Sequence, residues 1–226
     1  FAPGGESRRL FSVLACGGPA PDGTRILTRD SIDELRRRLE RRARLRCEIR
    51  RSIREACGPD FILSMRHSAA ETTLAESCAI ADLYVEAGAD YLQMSDGIGP
   101  YEVEYPEGYP YNQCCWMGIQ IHEHMKGRVP VSVVNGIITP EQARKLIDEG
   151  LADTVDSARA LLADPNWARA VTEGADCVPC RDCRVCFWSP FMPHRCPAVK
   201  QRHDLDPDCC DYAEDDRPIP DFAKRR

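Results

Sequence analysis

The chain has 226 residues, 43% of them hydrophobic and 29% charged, with a formal net charge of -6 and a pI near 5.5. Length and apolar content suffice for one soluble globular domain with a small appendage. The acidic balance argues against a nucleic-acid partner, which needs clustered Lys and Arg in excess, and no apolar run approaches the ~20 residues that cross a membrane.

Residues 1–29 are rich in Gly and Pro and carry no assignable chemistry. Ser31 and Glu34 form a capping-box pattern that opens a helix through Ile32, Leu35, Leu39, Ile49 and Ile53, ending before Gly58-Pro59. Arginines crowd this helix from Arg36 to Arg54, interleaved with Glu34, Glu40, Glu48 and Glu55. That pattern reads as a solvated face laced with helical ion pairs.

A rhythm of short apolar runs and helical segments follows. Strands are expected at Phe61–Arg66, Tyr91–Ser95, Val131–Val134 and Thr154–Ser157, and helices at Leu74–Ala87, Trp116–Lys126, from Pro140 to Gly150 with Thr139 as cap, and at Ala160–Ala163. Strands separated in this way give parallel βα units, and four in succession amount to half of an eight-unit barrel. A doubly wound sheet is the alternative, weakened by the missing glycine fingerprint after a first strand. Tyrosines from Tyr101 to Tyr111 mark a loop that could be a substrate lid, a partner surface or simply a rigid turn. His122 and His124, two apart on a helix, point to different faces and read as surface rather than as a metal pair.

Cysteines dominate the next stretch. The run Cys177-Val-Pro-Cys180-Arg-Asp-Cys183-Arg-Val-Cys186, followed by Cys196-Pro197, can wrap four thiolates around one inorganic centre, and the Pro after the last is similar to iron–sulfur runs. A four-cysteine zinc site is the rival, but it usually splits into two knuckles ~15–20 residues apart. Buried or disulfide-bonded cysteine is the third reading. The ligands are taken as Cys177, Cys180, Cys183 and Cys196, with Cys186 as an alternate. Thirteen cysteines concentrated in this way in a domain of ordinary size point to a reducing cytoplasm rather than a secreted disulfide scaffold.

Together the motifs resemble a family. Gly58-Pro59-Asp60-Phe61 leading to Met65-Arg66, Ala87-Gly88-Ala89-Asp90-Tyr91, Met94-Ser95-Asp96-Gly97, Val134-Asn135-Gly136-Ile137 with Pro140-Glu141-Gln142-Ala143, and Ala158-Arg159 through Asp164-Pro165 are similar to successive landmarks of the Old Yellow Enzyme class. Followed at once by the cysteines, they resemble its iron–sulfur branch, which includes 2,4-dienoyl-CoA reductase and trimethylamine dehydrogenase. The likeness covers about residues 34 to 197. It implies a (β/α)8 TIM-barrel type of α/β fold, of which this chain supplies the last four βα units. Residues 30–172 would be the C-terminal half of an FMN domain, 173–200 a segment for a 4Fe–4S cluster, and 201–226 an acidic tail.

The resemblance also implies roles. Arg66, at the end of its strand, would face the flavin and stabilise negative charge on its reduced form. Asn135, Gly136, Ile137, Ala158, Arg159 and Ala160 would surround the FMN phosphate, with the planar fork of Arg159 on two oxygens. Asp96 is a candidate substrate contact, with a turn-forming role as its stronger alternative. The implied activity is hydride transfer between NAD(P)H, flavin and an enoyl or enone substrate. An amine dehydrogenase of the trimethylamine dehydrogenase type is one alternative, and a non-catalytic half-barrel with a structural four-cysteine metal site acting in assembly is another. The family's earlier βα units and its substrate-protonating motif have no match between Phe1 and Arg29, and the chain begins at Phe1 rather than Met. A fragment, or one half of a split enzyme with a partner chain supplying the N-terminal half-barrel, is therefore expected, as is a homo- or hetero-oligomer.

Overall fold

The computed structural model describes residues 29–68, 73–95, 106–183 and 196–208; Asp96, Cys186 and the paired Cys209-Cys210 lie outside them. Its elements are α1 (Arg29–Cys57), β1 (Ser64–Ser68), α2 (Leu74–Glu86), β2 (Tyr91–Ser95), α3 (Gln113–Met125), β3 (Val131–Val134), α4 (Pro140–Asp148), β4 (Thr154–Asp156), α5 (Arg159–Ala163), α6 (Trp167–Glu173) and α7 (Pro197–Leu205). The strands form one sheet in the order β1–β2–β3–β4, parallel where β1 meets β2 and β2 meets β3. This α/β arrangement is compatible with part of a βα barrel. The chain forms two compact units, one running to Asn135 and taking in Leu151–Thr154, the other holding Gly136–Gly150 and continuing from Val155. Among the described residues no helix is long and apolar enough to cross a membrane.

In the first unit the arginines of α1 divide by face. Those at 38, 42, 46, 50 and 54 recur every fourth position, so one side of a helix gathers them. That row reaches across to α2 while Arg38 and Arg46 remain exposed, so the expected solvated face also serves a helix–helix contact. Arg38 and Arg42 pair with Glu76 in the first turn of α2. Arg46 donates to the Tyr84 hydroxyl at 2.8 Å. Arg50 donates to the Tyr84 carbonyl at 3.3 Å and lies 5.4 Å over its ring. Arg54 donates to the carbonyls of Gly58, Pro59, Phe61 and Gly88 and pairs with Asp90. The apolar residues Leu39, Ala43 and Cys47 are buried beside this row, so long arginine stems flank the packed seam and carry their charges to its edges. Arginines off the row, such as Arg36, Arg44 and Arg41, do make the expected surface pairs, with Glu40, Glu48 and Glu34.

Strand β1 begins three residues later than its apolar run suggests. The Phe61 carbonyl accepts from Arg54 and the Leu63 amide donates to Asp90, so residues 61–63 serve the approach to the sheet, and Phe61 and Ile62 are 50% and 77% exposed. Asp90 marks the entry of β2: its carboxylate accepts from the Leu63 amide at 2.8 Å and its own amide donates to the Leu63 carbonyl at 2.9 Å. The Leu63 amide first, and the Arg54 guanidinium after it, hold this carboxyl below its ordinary value. Asp153 repeats the device before β4, accepting from the Val131 amide at 2.8 Å and donating to the Val131 carbonyl at 3.1 Å.

The sheet has two unlike faces. Leu92, Met94, Val131 and Val133 are buried, and α3 packs so closely on that side that a Cβ at Gly118 would meet Val133 at 3.1 Å and Met94 at 3.4 Å. On the other face the register pairs Ser64 with Tyr91, Arg66 with Gln93 and Ser68 with Ser95. That row is polar throughout, and Tyr91 reaches Thr154 at 2.7 Å between their hydroxyls.

In the second unit Thr139 caps α4 by accepting from Gln142, Pro140 occupies the first turn, and the Gln142 side chain returns to the Thr139 amide, as the sequence pattern requires. Helix α7 continues across position 200 to Leu205, so the tail expected to start at 201 begins inside a helix whose Ala198 and Val199 are buried.

The His122 and His124 side chains do point to different partners, but both are partly buried rather than solvated. His122 lies 3.2 Å from Asp153, and His124 lies 2.9 Å from Asp82, which also pairs with Arg128. Burial would push the Asp82 carboxyl up; hydrogen bonds from His124 and Arg128 outweigh it and hold it below the usual range. A depressed carboxylate stabilises the fold above its unfolded value near 3.9 and loses that contribution as the pH falls through its folded value. Asp82→Asn should therefore destabilise the protein at pH 7 by roughly 2–4 kcal/mol in urea unfolding, leaving the part-buried Arg128 and the His124 ring without their shared carboxylate. The loss should shrink as the pH falls below about 4 and on through the depressed folded value, where the wild-type carboxyl itself takes up a proton.

Candidate functional site

In a parallel βα sheet, residues that act on ligands sit at the C-terminal ends of the strands. In the first unit Ser95 closes β2 at this end, and the Arg66 side chain reaches it from within β1. Arg66 is the third of five residues in β1, not the last as its apolar run implies, because the strand continues through His67 and Ser68. Its guanidinium is exposed and donates to Ser95 Oγ at 3.2 Å, so Ser95 is the neighbour that orients it. Behind it, on the helix-covered side, His67 is 1% exposed and stacks edge-on against Tyr84 at 5.3 Å.

The loop after β3 turns through Asn135 and Gly136, with φ of 81° and 75°, a left-handed pair that Asn and Gly adopt most readily. In the second unit this loop is fastened at three points. Ser157 donates to the Ile137 carbonyl at 3.2 Å, the buried Trp167 indole donates to the Ile138 carbonyl at 3.0 Å, and Gln142 accepts from the Ile138 and Thr139 amides. None of these bonds uses the Gly136 or Ile137 amide. Ala158 precedes α5, and Ala160 is buried in its first turn. Arg159, the cation of this group, pairs with Asp182. One guanidinium nitrogen of Arg159 holds the Asp182 carboxylate, and at 38% and 48% exposure the pair is open to exchange. Small residues, a left-handed Gly and an oxyanion-binding Arg fit a phosphate group.

Apart from Cys57, exposed at the end of α1, the described cysteines divide into two classes. Cys47, Cys78, Cys114 and Cys115 are buried core thiols, and burial pushes Cys115 up to about 12, which keeps it protonated and inert. Cys177, Cys180, Cys183 and Cys196 are free thiols of the second unit. Burial first, then the charges of Asp164, Glu141 and Asp176, raise Cys177 above the usual thiol value, so a metal would have to displace its proton. The knuckle turns at Asp182, a non-glycine residue at φ 48°, and the Asp182 amide donates to Cys180 Sγ at 3.4 Å. Cys180 also packs into an apolar cluster with Cys196, Ala163, Ala198 and Val199. The structure thus brings Cys180 and Cys196 together, while Cys183 is exposed. Among the described residues no three His, Cys, Asp or Glu side chains converge as a metal site. Four free thiols, one already holding an amide hydrogen bond, are nevertheless the donor set that an iron–sulfur centre takes.

Two acidic residues of this region carry more structure than their sequence positions reveal. Asp182 is merely a polar residue between two cysteines until it is seen on Arg159. Asp164 reads as part of an Ala-Asp-Pro helix end, yet it is 3% exposed and accepts from the amides of Asn166 at 2.9 Å and Val178 at 2.8 Å. An acid placed beside Pro at the end of a short helix and upstream of a cysteine run is the signal that could have marked it.

The chain is similar to segments of several oxidoreductases. It is 36% identical over 165 residues to the NADH oxidase of Thermoanaerobacter brockii, covering 68% of this chain and 25% of that protein. It is 27% identical over 175 residues to the cinnamate reductase of Clostridium sporogenes, covering 67% and 26%, and 25% identical over 156 residues to the metal reductase of Desulforamulus reducens, covering 66% and 23%. The chain therefore spans about a quarter of the length of these curated relatives. No protein-family model matches it.

Because Arg159 and Asp182 are both well exposed, their pair contributes little to folding. Asp182→Asn should shift the urea-unfolding free energy by less than about 1 kcal/mol, and a loss of several kcal/mol would mean that the pair is structural.

Proposed function

We propose that the chain is the C-terminal half of a (β/α)8 barrel in an FMN- and iron–sulfur-dependent oxidoreductase of the Old Yellow Enzyme class, passing hydride between NAD(P)H, flavin and an enone-type substrate. The observation that carries this reading is the 36% identity over 165 residues to a protein named NADH oxidase, supported by likeness to a cinnamate reductase. A flavin supplies the acceptor and donor of hydride when bound. The chain's own residues bind and orient it: Gly136, Ile137 and Arg159 with the start of α5 hold the phosphate, and Arg66, steadied by Ser95, supplies positive charge to the ring. Cys177, Cys180, Cys183 and Cys196 hold a 4Fe–4S cluster, which supplies single-electron transfer, and their thiols argue for a reducing compartment such as the cytoplasm.

The chain is expected to work with a further half-barrel. Leu45, Ile49 and Ile53 recur along α1 on the side away from the buried Leu39, Ala43 and Cys47 and are 67%, 51% and 36% exposed. Among the described residues β1 is an edge of the sheet. An apolar helix stripe and an open strand edge together fit a neighbouring βα unit.

Flavin titration tests the reading. The full chain should quench FMN fluorescence saturably with one FMN per chain, should bind riboflavin at least tenfold more weakly because the phosphate contacts are lost, and should lose about tenfold in FMN affinity on Arg159→Ala. Absence of saturable FMN binding, or equal affinity for riboflavin, contradicts it.

A further inference from the structure

The four thiols proposed above to hold the cluster come from two places in the chain, the Cys177–Cys183 knuckle and Cys196 at the head of α7. A metal site assembled from separated segments needs something that fixes their register before the metal arrives, because ligand positions must agree to within a few tenths of an ångström. One buried side chain in the second unit reaches both segments.

That side chain is Asp164, at the end of α5, with its carboxylate 4% exposed. Its Oδ2 accepts at 2.8 Å from the amide of Val178, which lies between Cys177 and Cys180. Its Oδ1 lies 3.6 Å from Arg202 on α7, whose side chain is 14% exposed and whose same nitrogen donates to the Ala163 carbonyl at 2.9 Å. The carboxylate is itself fixed, because Oδ1 also accepts from the Asn166 amide and the Asp164 carbonyl takes the Trp167 amide at 3.0 Å. Helix α7 starts immediately after Cys196, with the Lys200 amide bonded to the Cys196 carbonyl at 3.0 Å. A position imposed on Arg202 is therefore transmitted rigidly to Cys196. The apolar cluster of Ala163, Val178, Cys180, Cys196, Ala198 and Val199 closes around the same anchor.

We propose that Asp164 is the positioning residue of the thiolate site: its buried carboxylate holds the Cys177-x-x-Cys180 knuckle through the Val178 amide and the Cys196 segment through Arg202, so that the two parts of the ligand set share one register. The inference rests on the reading that these thiols bind an inorganic centre. Asp164 touches no metal. It acts through the backbone that carries the ligands, in the manner of outer-shell residues whose removal weakens metal binding by 10–100-fold.

The test uses the full chain, purified free of metal under anaerobic conditions and titrated with cobalt(II), whose thiolate charge-transfer absorption reports both affinity and the number of sulfur ligands. Wild type should develop that absorption. Asp164→Asn, which keeps the side-chain shape but presents an amide N–H₂ to one of the donors, and Arg202→Gln, which removes the arm to α7 together with its bond to the Ala163 carbonyl, should each bind cobalt 10–100-fold more weakly with reduced absorption per bound metal. Far-UV circular dichroism should stay unchanged. Glu173→Gln, which removes an exposed carboxylate of α6 paired with Arg169, should match wild type, and an equal loss in that variant would mean that charge alone is responsible and overturn the proposal. It is likewise overturned if Asp164→Asn and Arg202→Gln are folded and bind cobalt with wild-type affinity and spectrum. If Asp164→Asn does not fold, Arg202→Gln decides; loss of fold in both makes Asp164 a purely structural residue and rejects the proposal. If wild type shows no cobalt–thiolate absorption, the thiolate-site reading itself fails and the role of Asp164 falls with it.

Discussion

A parallel sheet has no hairpins to set its register, so each strand must be aligned by contacts at its entry. Here two aspartates do this in the same way. Asp90 before β2 grips both backbone groups of Leu63, and Asp153 before β4 grips both backbone groups of Val131. In each case a carboxylate takes the amide, and the aspartate's own amide returns to the carbonyl. A one-residue slip would carry Leu92 and Met94 from the buried face to the polar one. Ser95 at the far end of β2, and the Arg66 side chain that reaches it from β1, depend on this alignment. Anchoring the entries with aspartate leaves the exits free to carry chemistry, the division of labour seen in βα barrels generally.

The same separation of structural from chemical groups runs through the charges and the thiols. Five arginines of α1 serve α2 and the loops around Gly58 and Gly88, where they bond Glu76, Tyr84, Asp90 and loop carbonyls. Arg159 is different: its partner Asp182 is an exposed side chain in the cysteine knuckle, so its fork remains exchangeable. Cys114 and Cys115 fill the core, whereas Cys180 and Cys196 pack into an apolar cluster of the second unit and Cys183 stays exposed. Residue type alone does not make these distinctions; burial and partner do.

Much of the fold was legible in the sequence wherever a local signal existed. Thr139-Pro140 with Gln142 marked the start of α4, and the apolar runs Tyr91–Ser95 and Val131–Val134 coincide with β2 and β3. Helix α3 starts at Gln113, ahead of the expected Trp116, because the Asn112 side chain caps it by accepting from Cys115. Signals that depend on distant residues were not legible. The apolar run at Phe61 looked like a strand because nothing local shows that Arg54 and Asp90 occupy its backbone. The row of arginines facing α2 needs Glu76, Tyr84 and Asp90, far along the chain. Of the candidate site, the positions of Gly136, Arg159 and the cysteines could be named from motifs, whereas the ties that fasten them, Trp167 to Ile138, Asp182 to Arg159 and Asp164 to Val178, join segments that no spacing rule connects. Asp96 and Cys186 lie outside the described residues.

The central claim is that this chain carries the phosphate-binding and thiolate-binding portions of an iron–sulfur flavoprotein. Elemental and cofactor analysis of the anaerobically purified full chain tests it most directly. The claim predicts iron and acid-labile sulfide in equal amounts, a broad visible absorption from thiolate-bound iron, and FMN retained or taken up on reconstitution. Roughly one zinc per chain, with no iron and no flavin, would contradict it and leave a structural metal knob in place of an electron relay.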